Sequence, residues 1–389
     1  MKVTLLYKRT TYTTLMLCMA ISCIEPYQPP EITQTFSPLV VDGFLNVNGI
    51  STIKLSRTQN LTDKGNSLPE YNATVIIETE SGDQYNFLDT KNVGAYVLPN
   101  QNLSTEKIYR LRIKTIDNKE YASDYLSVKL TPPIDSVIWK INEDKSVNIF
   151  VSTDDPTGKS KFYSWTYKET WEYLSAYQST IDYLPPNTVV SRAQDIYRCY
   201  QLNIPSQKIS IASSQGLLQD KISEYSLLHI PWASERTSIK YSIQVIQRVI
   251  SKEEYEYLLQ LQKNTESSGT LFDPLPSQIV GNIRSLSEMQ KPVLGYFDVG
   301  STTEKRIFIP SSKLSRSATY YDSPFKNCSY DTLLLENVSN FIDISKSKLL
   351  IGPISQLMGP GIIGYSFSTI DCVDCRSAGG VLNKPDFWD

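Results

Sequence analysis

Four cysteines in the second half of the chain are the residues whose types could most directly do chemistry: Cys199, Cys328, Cys372 and Cys375. Cys372 and Cys375 have the CxxC spacing of a zinc half-site or a redox motif. However, Cys199 and Cys328 do not form a second CxxC pair, and the motif lies close to the C-terminus. We favour two disulfides, with a local Cys372–Cys375 pair and Cys199–Cys328 as the remainder, while zinc or redox chemistry stays an alternative. No metal or cofactor is predicted.

Large aromatic residues recur at every second position in one segment, with a single carboxylate among them: Tyr163, Trp165, Tyr167, Glu169, Trp171 and Tyr173. Residues i and i+2 of a strand share a face, so the spacing predicts an aromatic face. We favour a sandwich core, in which Glu169 needs a cationic or hydrogen-bonding partner, because an unpaired buried carboxylate is costly. The alternative is a platform that binds a sugar or a peptide.

No other group of residues indicates catalysis. The chain has one histidine, His229, which we expect to be structural or exposed and not a general base. There is no G-x-S-x-G elbow, P-loop, H-E-x-x-H motif or dinucleotide fingerprint. A glycosidase needs only two close carboxylates, and 41 acidic residues give no way to recognise them. The sequence therefore predicts no catalytic residue.

The N-terminus has the pattern of a targeting segment. Lys2, Lys8 and Arg9 precede an apolar run that is too short to span a bilayer, and the run ends in Ala20-Ile21-Ser22-Cys23. This end is similar to a lipobox, the site at which bacterial lipoproteins are acylated on cysteine and cleaved before it, although the usual residue at position −3 is Leu. We therefore expect residues 1–22 to be a lipoprotein signal peptide, Cys23 to carry lipid, and 23–35 to be a Pro-rich tether. The alternative is an ordinary signal peptide with an incidental cysteine.

Patterns typical of short strands fill the chain from residue 36 to residue 131. The run from Tyr109 to Lys114 alternates apolar and charged residues, as a half-buried strand does, and Ser81-Gly82-Asp83 indicates a tight turn. This segment is predicted to be an Ig-like or transthyretin-like β-sandwich. Two consecutive prolines, Pro132 and Pro133, interrupt the pattern and indicate a domain boundary.

A second β-rich domain is predicted over 134–389, with inserted loops and one helix. Ser251 and Glu254 form a capping-box pattern at the start of helical spacing, which predicts a helix over 252–264 packed on the sandwich. The expected fold class is therefore mainly β, with two successive sandwich-type domains.

Composition agrees with a globular protein outside the nucleic-acid-binding classes. The chain has 389 residues, of which 40% are hydrophobic and 20% charged, and its net charge is −3. Without the three basic residues of the signal segment, 35 basic and 41 acidic residues remain, so the mature chain is acidic. We expect no nucleic-acid partner.

Several motifs together resemble the domain of unknown function 4249 family of Bacteroidota lipoproteins. They include the segments Cys23-Ile-Glu-Pro-Tyr, Leu39-Val-Val-Asp-Gly43, Trp165 to Tyr173, Arg198-Cys199, Tyr241-Ser-Ile, Asn264-Thr-Glu, Asp273-Pro-Leu-Pro-Ser277, Gly281-Asn-Ile, Val293-Leu-Gly-Tyr-Phe297, Cys372-Val-Asp-Cys375 and Lys384-Pro-Asp-Phe-Trp388. The resemblance carries no catalytic residue. It implies an outer-membrane lipoprotein, often encoded beside a TonB-dependent transporter.

Two functions are therefore compared. The first is a non-enzymatic outer-membrane lipoprotein, held in the bilayer through acylated Cys23, that assists a TonB-dependent receptor in substrate capture or envelope assembly. The second is a surface hydrolase or glycan-binding protein acting on polysaccharide or peptide, which as an enzyme would need an accessible cleft with two close carboxylates.

Overall fold

Strands account for most of the regular structure. The computed structural model describes residues 37–59, 68–185, 188–266, 281–314, 323–340, 346–356 and 361–388. The signal segment, Cys23 and the tether lie outside these ranges. The chain from Pro38 onward forms one compact unit. In the described ranges, no helix has the length and hydropathy needed to span a membrane.

The strands of the described residues are, in chain order, β1 (Leu39–Asn46), β2 (Ser51–Arg57), β3 (Leu68–Pro69), β4 (Thr74–Thr79), β5 (Gln84–Asn86), β6 (Leu88–Asp89), β7 (Ala95–Leu98), β8 (Ile108–Lys114), β9 (Glu120–Ser123), β10 (Leu126–Ser127), β11 (Ile134–Ile141), β12 (Val147–Asp154), β13 (Phe162–Leu174), β14 (Ile181–Leu184), β15 (Thr188–Ser191), β16 (Arg198–Pro205), β17 (Ser210–Ser213), β18 (Lys221–Ile230), β19 (Lys240–Val249), β20 (Ile283–Ser285), β21 (Leu294–Gly300), β22 (Thr303–Pro310), β23 (Asp331–Leu334), β24 (Lys348–Ser355) and β25 (Ile362–Thr369). The α-helices within the same described ranges are α1 (Lys252–Glu266) and α2 (Ile370–Val373).

The first sandwich packs two sheets over an aliphatic core. One sheet has the order β21-β1-β2-β7-β6 with β3 beside β2, and the other has the order β20-β9-β8-β4-β5 with β10 beside β8. In β8 every second residue is buried, as the alternation from Tyr109 to Lys114 predicts. The side chains at the centre of this core are inaccessible to solvent: Leu45, Ile53, Leu55, Ile77, Leu111 and Phe297. A sandwich in this region is confirmed.

Two strands from far along the chain complete the first sandwich, and this corrects the division of the chain at 131–134. β21 pairs in parallel with β1, Val40 facing Leu294, and β20 pairs with β9. The segment 36–131 therefore supplies only part of its sandwich, and residues 283–300 belong to that core. Local periodicity identifies a strand but says nothing of a partner that is more than 200 residues away.

The second sandwich holds the aromatic segment. Its smaller sheet has the order β11-β12-β18, and its larger sheet has the order β16-β13-β19-β22 with β17 beside β13. β13 is central, since it pairs with β19 on one side and with β16 and β17 on the other. The C-terminal part is smaller. It consists of the sheet β23-β25-β24 and of the hairpin β14–β15, which comes from the middle of the sequence.

Helix α1 begins at the predicted residue and extends slightly beyond the predicted end. The Ser251 hydroxyl accepts a hydrogen bond from the Glu254 backbone N–H at 3.0 Å, which is half of a capping box. The other half is missing, because the Glu254 carboxyl binds Arg248. Leu258 buries the inner face of the helix against Ile211 and Ile250, as expected of a helix packed on the sandwich.

Candidate functional site at the junction of the sandwiches

The four cysteines form two disulfides, but the pairing predicted from the sequence is wrong. Cys199 is bonded to Cys375 and Cys328 to Cys372, with Cα–Cα distances of 5.7 and 5.6 Å. Cys372 lies in α2 and Cys375 begins a separate 3-10 turn, with the extended residue Asp374 between them. Cys372 and Cys375 consequently bond to different cysteines. Both disulfides tie the C-terminal part together, and one of them reaches β16.

The aromatic segment is a strand that packs into the hydrophobic cores, as the favoured interpretation predicts. Tyr163, Trp165 and Tyr173 are fully buried, while Tyr167 and Trp171 are partly buried against the same cores. The Trp165 ring packs 5.0 Å from that of Tyr225 across the sandwich. Three of the five aromatic side chains are therefore closed to solvent, and the other two are only partly open to it.

Glu169 has the partners that the core interpretation requires. Its Oε2 accepts hydrogen bonds from Arg236 Nη1 and from the Tyr241 hydroxyl, each at 2.7 Å. Burial and the charge of Glu169 raise the pKa of Tyr241, so its phenol remains a proton donor. Glu169 is therefore a structural carboxylate.

We expect Glu169→Gln to lower the free energy of unfolding by about 2 kcal/mol, because two charge-assisted hydrogen bonds become weaker and one buried donor loses its best acceptor. Denaturant unfolding measures this loss. Glu143→Gln, at an exposed turn position, is the control and should leave stability within about 0.5 kcal/mol of the parent. Equal stability of the two variants would contradict a structural role for Glu169.

His229 lies on the surface, as predicted. Its Nδ1 is 2.7 Å from Asn148 Oδ1 on the neighbouring strand β12. The side chain is exposed, and this hydrogen bond is made to an amide and not to a carboxylate.

A concave surface lies where the two sandwiches meet. This junction cleft has a volume of about 800 Å³, and its walls come from residues 128–133, 155–162 and 249–252. The 155–162 wall is held by Asp155, which accepts hydrogen bonds from the backbone N–H groups of Thr157 and Ser160 at 3.0 and 2.9 Å. Burial raises the pKa of Asp155, but hydrogen bonds from the hydroxyls of Ser160 and Thr157, together with these backbone bonds, outweigh burial and lower it to about 2. The wall is therefore preformed across the neutral pH range.

A pair of buried carboxyls lies beside this cleft, and sequence reasoning did not single out either as part of a site. Glu254 and Asp298 are 3% and 1% exposed. Glu254 Oε1 is 2.6 Å from Arg248 Nη2, and Asp298 Oδ1 is 2.5 Å from Lys129 Nζ. We call these four residues the junction chain. Lys129 also lines the cleft, and Ser251, which caps α1, lines it from the other side.

The surroundings of the junction chain raise the pKa of one of its residues, Glu254. Burial raises the pKa of Glu254, Arg248 and Lys129 oppose this, Asp298 reinforces it, and the resulting pKa is about 8. A protonated acid beside a second carboxyl is the composition of an acid–base pair. Because neither carboxyl is open to the cleft, a substrate does not reach them here, and the pair does not provide the accessible carboxylates that a hydrolase requires.

Comparison with known proteins places the chain in a family. A family model described as a domain of unknown function (DUF4249) matches residues 24–306. The chain belongs to this family. The match includes both strands that return to the first sandwich and the whole junction chain, whereas Cys328, Cys372 and Cys375 lie beyond it. DUF4249 membership assigns no activity.

Structural and sequence likenesses elsewhere are slight. A segment of two fibronectin type-III domains from chicken tenascin is 10% identical, over 55% of this chain and 93% of that one, with a TM-score of 0.16. Fibronectin domains 1–3 of chicken CNTN1 are 12% identical, over 54% and 60% of the two chains, with a TM-score of 0.18. TM-scores this low carry no argument, so the sandwich architecture rests on the strand pairing itself. No curated protein is significantly similar in sequence.

Proposed function

We propose that this DUF4249 protein is a non-enzymatic outer-membrane lipoprotein that assists a TonB-dependent transporter in substrate capture or envelope assembly. The observation that carries the proposal is the Ala20-Ile21-Ser22-Cys23 sequence behind a basic N-terminus, followed by a Pro-rich stretch that ends where the folded body begins. An acylated cysteine and a stiff tether would hold that body near a bilayer while leaving its surface free.

The folded body supports an exported accessory protein in two ways. Two disulfides are typical of proteins that fold in an oxidising compartment outside the cytoplasm. The two sandwiches and the C-terminal part present a broad, largely preformed surface, and the buried state of the Glu254–Asp298 pair gives no support to the hydrolase alternative. Assistance to a transporter requires a stable binding body and no catalytic group.

We expect Cys23→Ala to release the protein from the membrane fraction of its native host, because the residue that would carry the lipid is removed. Immunoblotting of washed membranes and soluble fractions measures the distribution. Cys18→Ala is the matched control, since it changes a cysteine inside the segment removed on export and should leave the protein in the membrane. If Cys23→Ala remains in the membrane like the parent, the lipoprotein proposal is wrong.

The transporter partnership is tested separately. The lipoprotein is solubilised from native membranes in mild detergent and purified by a C-terminal tag, and the co-purifying proteins are identified by mass spectrometry. We expect a TonB-dependent outer-membrane protein to be enriched over a control purification of an unrelated lipoprotein carrying the same tag. Enrichment of no outer-membrane transporter would contradict the partnership and leave the lipid anchor unaffected.

A further inference from the structure

The junction chain crosses from one sandwich to the other. Asp298 lies on β21 of the first sandwich, and Lys129 lies in the segment that leaves it. Arg248 lies on β19 of the second sandwich, and Glu254 lies in the first turn of α1, which follows β19 directly. Asp298 acts on the titration of Glu254, and the Ser251 hydroxyl is 3.3 Å from that of Tyr296, so the two carboxyls belong to the region where α1 packs on β21 and the sandwiches meet.

Each carboxyl of the junction chain uses one oxygen for its cation and leaves the other without a donor. Among the described residues, Glu254 Oε2 and Asp298 Oδ2 are buried atoms with no hydrogen-bond partner. Two ionised carboxylates have only acceptor atoms, so they cannot bond to each other. One proton changes this, because a protonated carboxyl donates to its neighbour. Glu254 Oε2 and Asp298 Oδ2 are two such buried acceptors, and one proton can satisfy them.

We propose that one proton shared by Glu254 and Asp298 locks the junction between the two sandwiches and holds the walls of the cleft in place. This inference does not depend on the proposed function. Loss of the proton leaves two buried carboxylate oxygens without a donor, in the region where α1 packs on β21. Ser251 and Lys252, at the start of α1, line the cleft. Lys129, which belongs to the junction chain, lines it as well, so the cleft is bordered by residues on both sides of the proposed lock.

A proton satisfies this site better than a metal ion does. Arg248 and Lys129 each already bond to one oxygen of a carboxyl, so the pair offers a divalent cation only its two remaining oxygens. Calcium and magnesium also require about six oxygen ligands. In the described parts of the chain, no group of three or more His, Cys, Asp or Glu side chains is arranged to hold a metal.

The surroundings of Glu254 agree with a shared proton. Charged and titratable side chains act on it from the elements packed around it: Arg248 from β19, Asp298 and Tyr296 from β21, Lys129 from the linker, and Tyr257 from α1 itself, with Asp42 of β1 acting on Tyr257. Burial is the largest influence and favours the neutral acid. The Tyr296 hydroxyl is 3.3 Å from that of Ser251 and also remains protonated, because burial raises its pKa to about 12.

The sign of the pH dependence follows from the direction of the pKa shift. The folded chain binds the proton with a pKa of about 8, whereas a glutamic acid exposed by opening has a pKa of about 4.3. The contribution of the lock is therefore fully present below about pH 4.3. It is lost as the pH rises toward 8, after which the opening equilibrium levels off. The junction should open more readily at pH 8 than at pH 5.

Hydrogen exchange measured by mass spectrometry tests the lock on the purified full-length lipoprotein between pH 5 and 9, with rates corrected for intrinsic exchange. In the parent we expect the protection factors of 254–258 and 296–299 to fall by up to about tenfold per pH unit until about pH 8. Glu254→Gln carries a permanent donor in place of the proton, so the same segments should lose this pH dependence. Glu253→Gln, one residue away and exposed, should keep the slope of the parent.

The proposal is overturned by either of two results. One is a parent whose protection at 254–258 and 296–299 is independent of pH, or no more dependent than that of strand β12. The other is Glu254→Gln with the same slope as the parent. If Glu254→Gln does not fold, Asp298→Asn replaces the other carboxyl of the pair. Its junction segments should also lose the pH dependence of the parent. If neither variant folds, the comparison of the junction segments with β12 in the parent decides.

Discussion

A chain carrying Cys199→Ser and Cys375→Ser is expected to lose about 4–5 kcal/mol of unfolding free energy, because this disulfide joins residues 176 positions apart. Cys328→Ser with Cys372→Ser opens a shorter loop, of 44 positions, and should cost about 1 kcal/mol less. Denaturant unfolding without reductant measures both. A larger loss for the 328–372 pair would show that the loop-entropy account does not apply to this chain.

The connectivity itself can be established by non-reducing peptide mapping. Trypsin does not separate Cys372 from Cys375, since neither Lys nor Arg lies between them. Cleavage on the N-terminal side of Asp374 does separate them. We expect one linked peptide pair containing 199 with 375 and another containing 328 with 372. A linked pair joining 372 to 375, or four free thiols, would contradict the structure.

Trp165→Ala is expected to lower the free energy of unfolding by about 3–5 kcal/mol, because a fully buried indole is replaced by a cavity between the two sheets. The indole also donates from Nε1 to Gln247 Oε1 at 2.8 Å. Gln247 in turn donates to the Pro132 carbonyl oxygen and to the Thr153 hydroxyl, so this bond belongs to a buried network. Thermal and denaturant unfolding of the variant measure the loss.

Two further variants separate packing from hydrogen bonding at this position. Trp165→Phe keeps most of the apolar contact and removes only the donor, so we expect a smaller loss of about 1–2 kcal/mol. Tyr71→Ala removes an aromatic ring that is 41% exposed, and should change stability by about 0.5 kcal/mol or less. Parent-like stability of Trp165→Ala together with loss of partner binding would restore the platform interpretation.

The features that the sequence predicts well are those with a local physical cause. The alternation in β8 follows from one buried face, and Ser251 caps α1 because a hydroxyl at that position satisfies an orphan backbone N–H. The need of Glu169 for a partner could also be deduced, since burial of a lone carboxylate is expensive. Its two partners, Arg236 and Tyr241, lie about 70 residues further along the chain, and nothing in the pattern identifies them.

The features that the sequence does not predict depend on contacts between distant segments. The CxxC spacing suggests a local disulfide, but the turn between α2 and the following 3-10 segment directs Cys375 toward Cys199. Glu254 reads as a capping residue, and its meeting with Asp298 depends on how α1 is placed against β21. Both errors have one origin: a spacing of three or four residues indicates local geometry, whereas the partner is chosen by the tertiary fold.

The parallel pairing of β1 with β21 has a consequence for the biogenesis of the protein. Synthesis of the chain from its N-terminus delivers β1 long before β21, since Val40 and Leu294 are paired across more than 250 residues. Until β21 arrives, the outer edge of β1 presents unsatisfied backbone groups that can pair with other chains. High contact order of this kind slows folding and prolongs exposure to aggregation. Folding of this chain should therefore depend strongly on chaperones, and products that terminate before residue 294 should accumulate as aggregates.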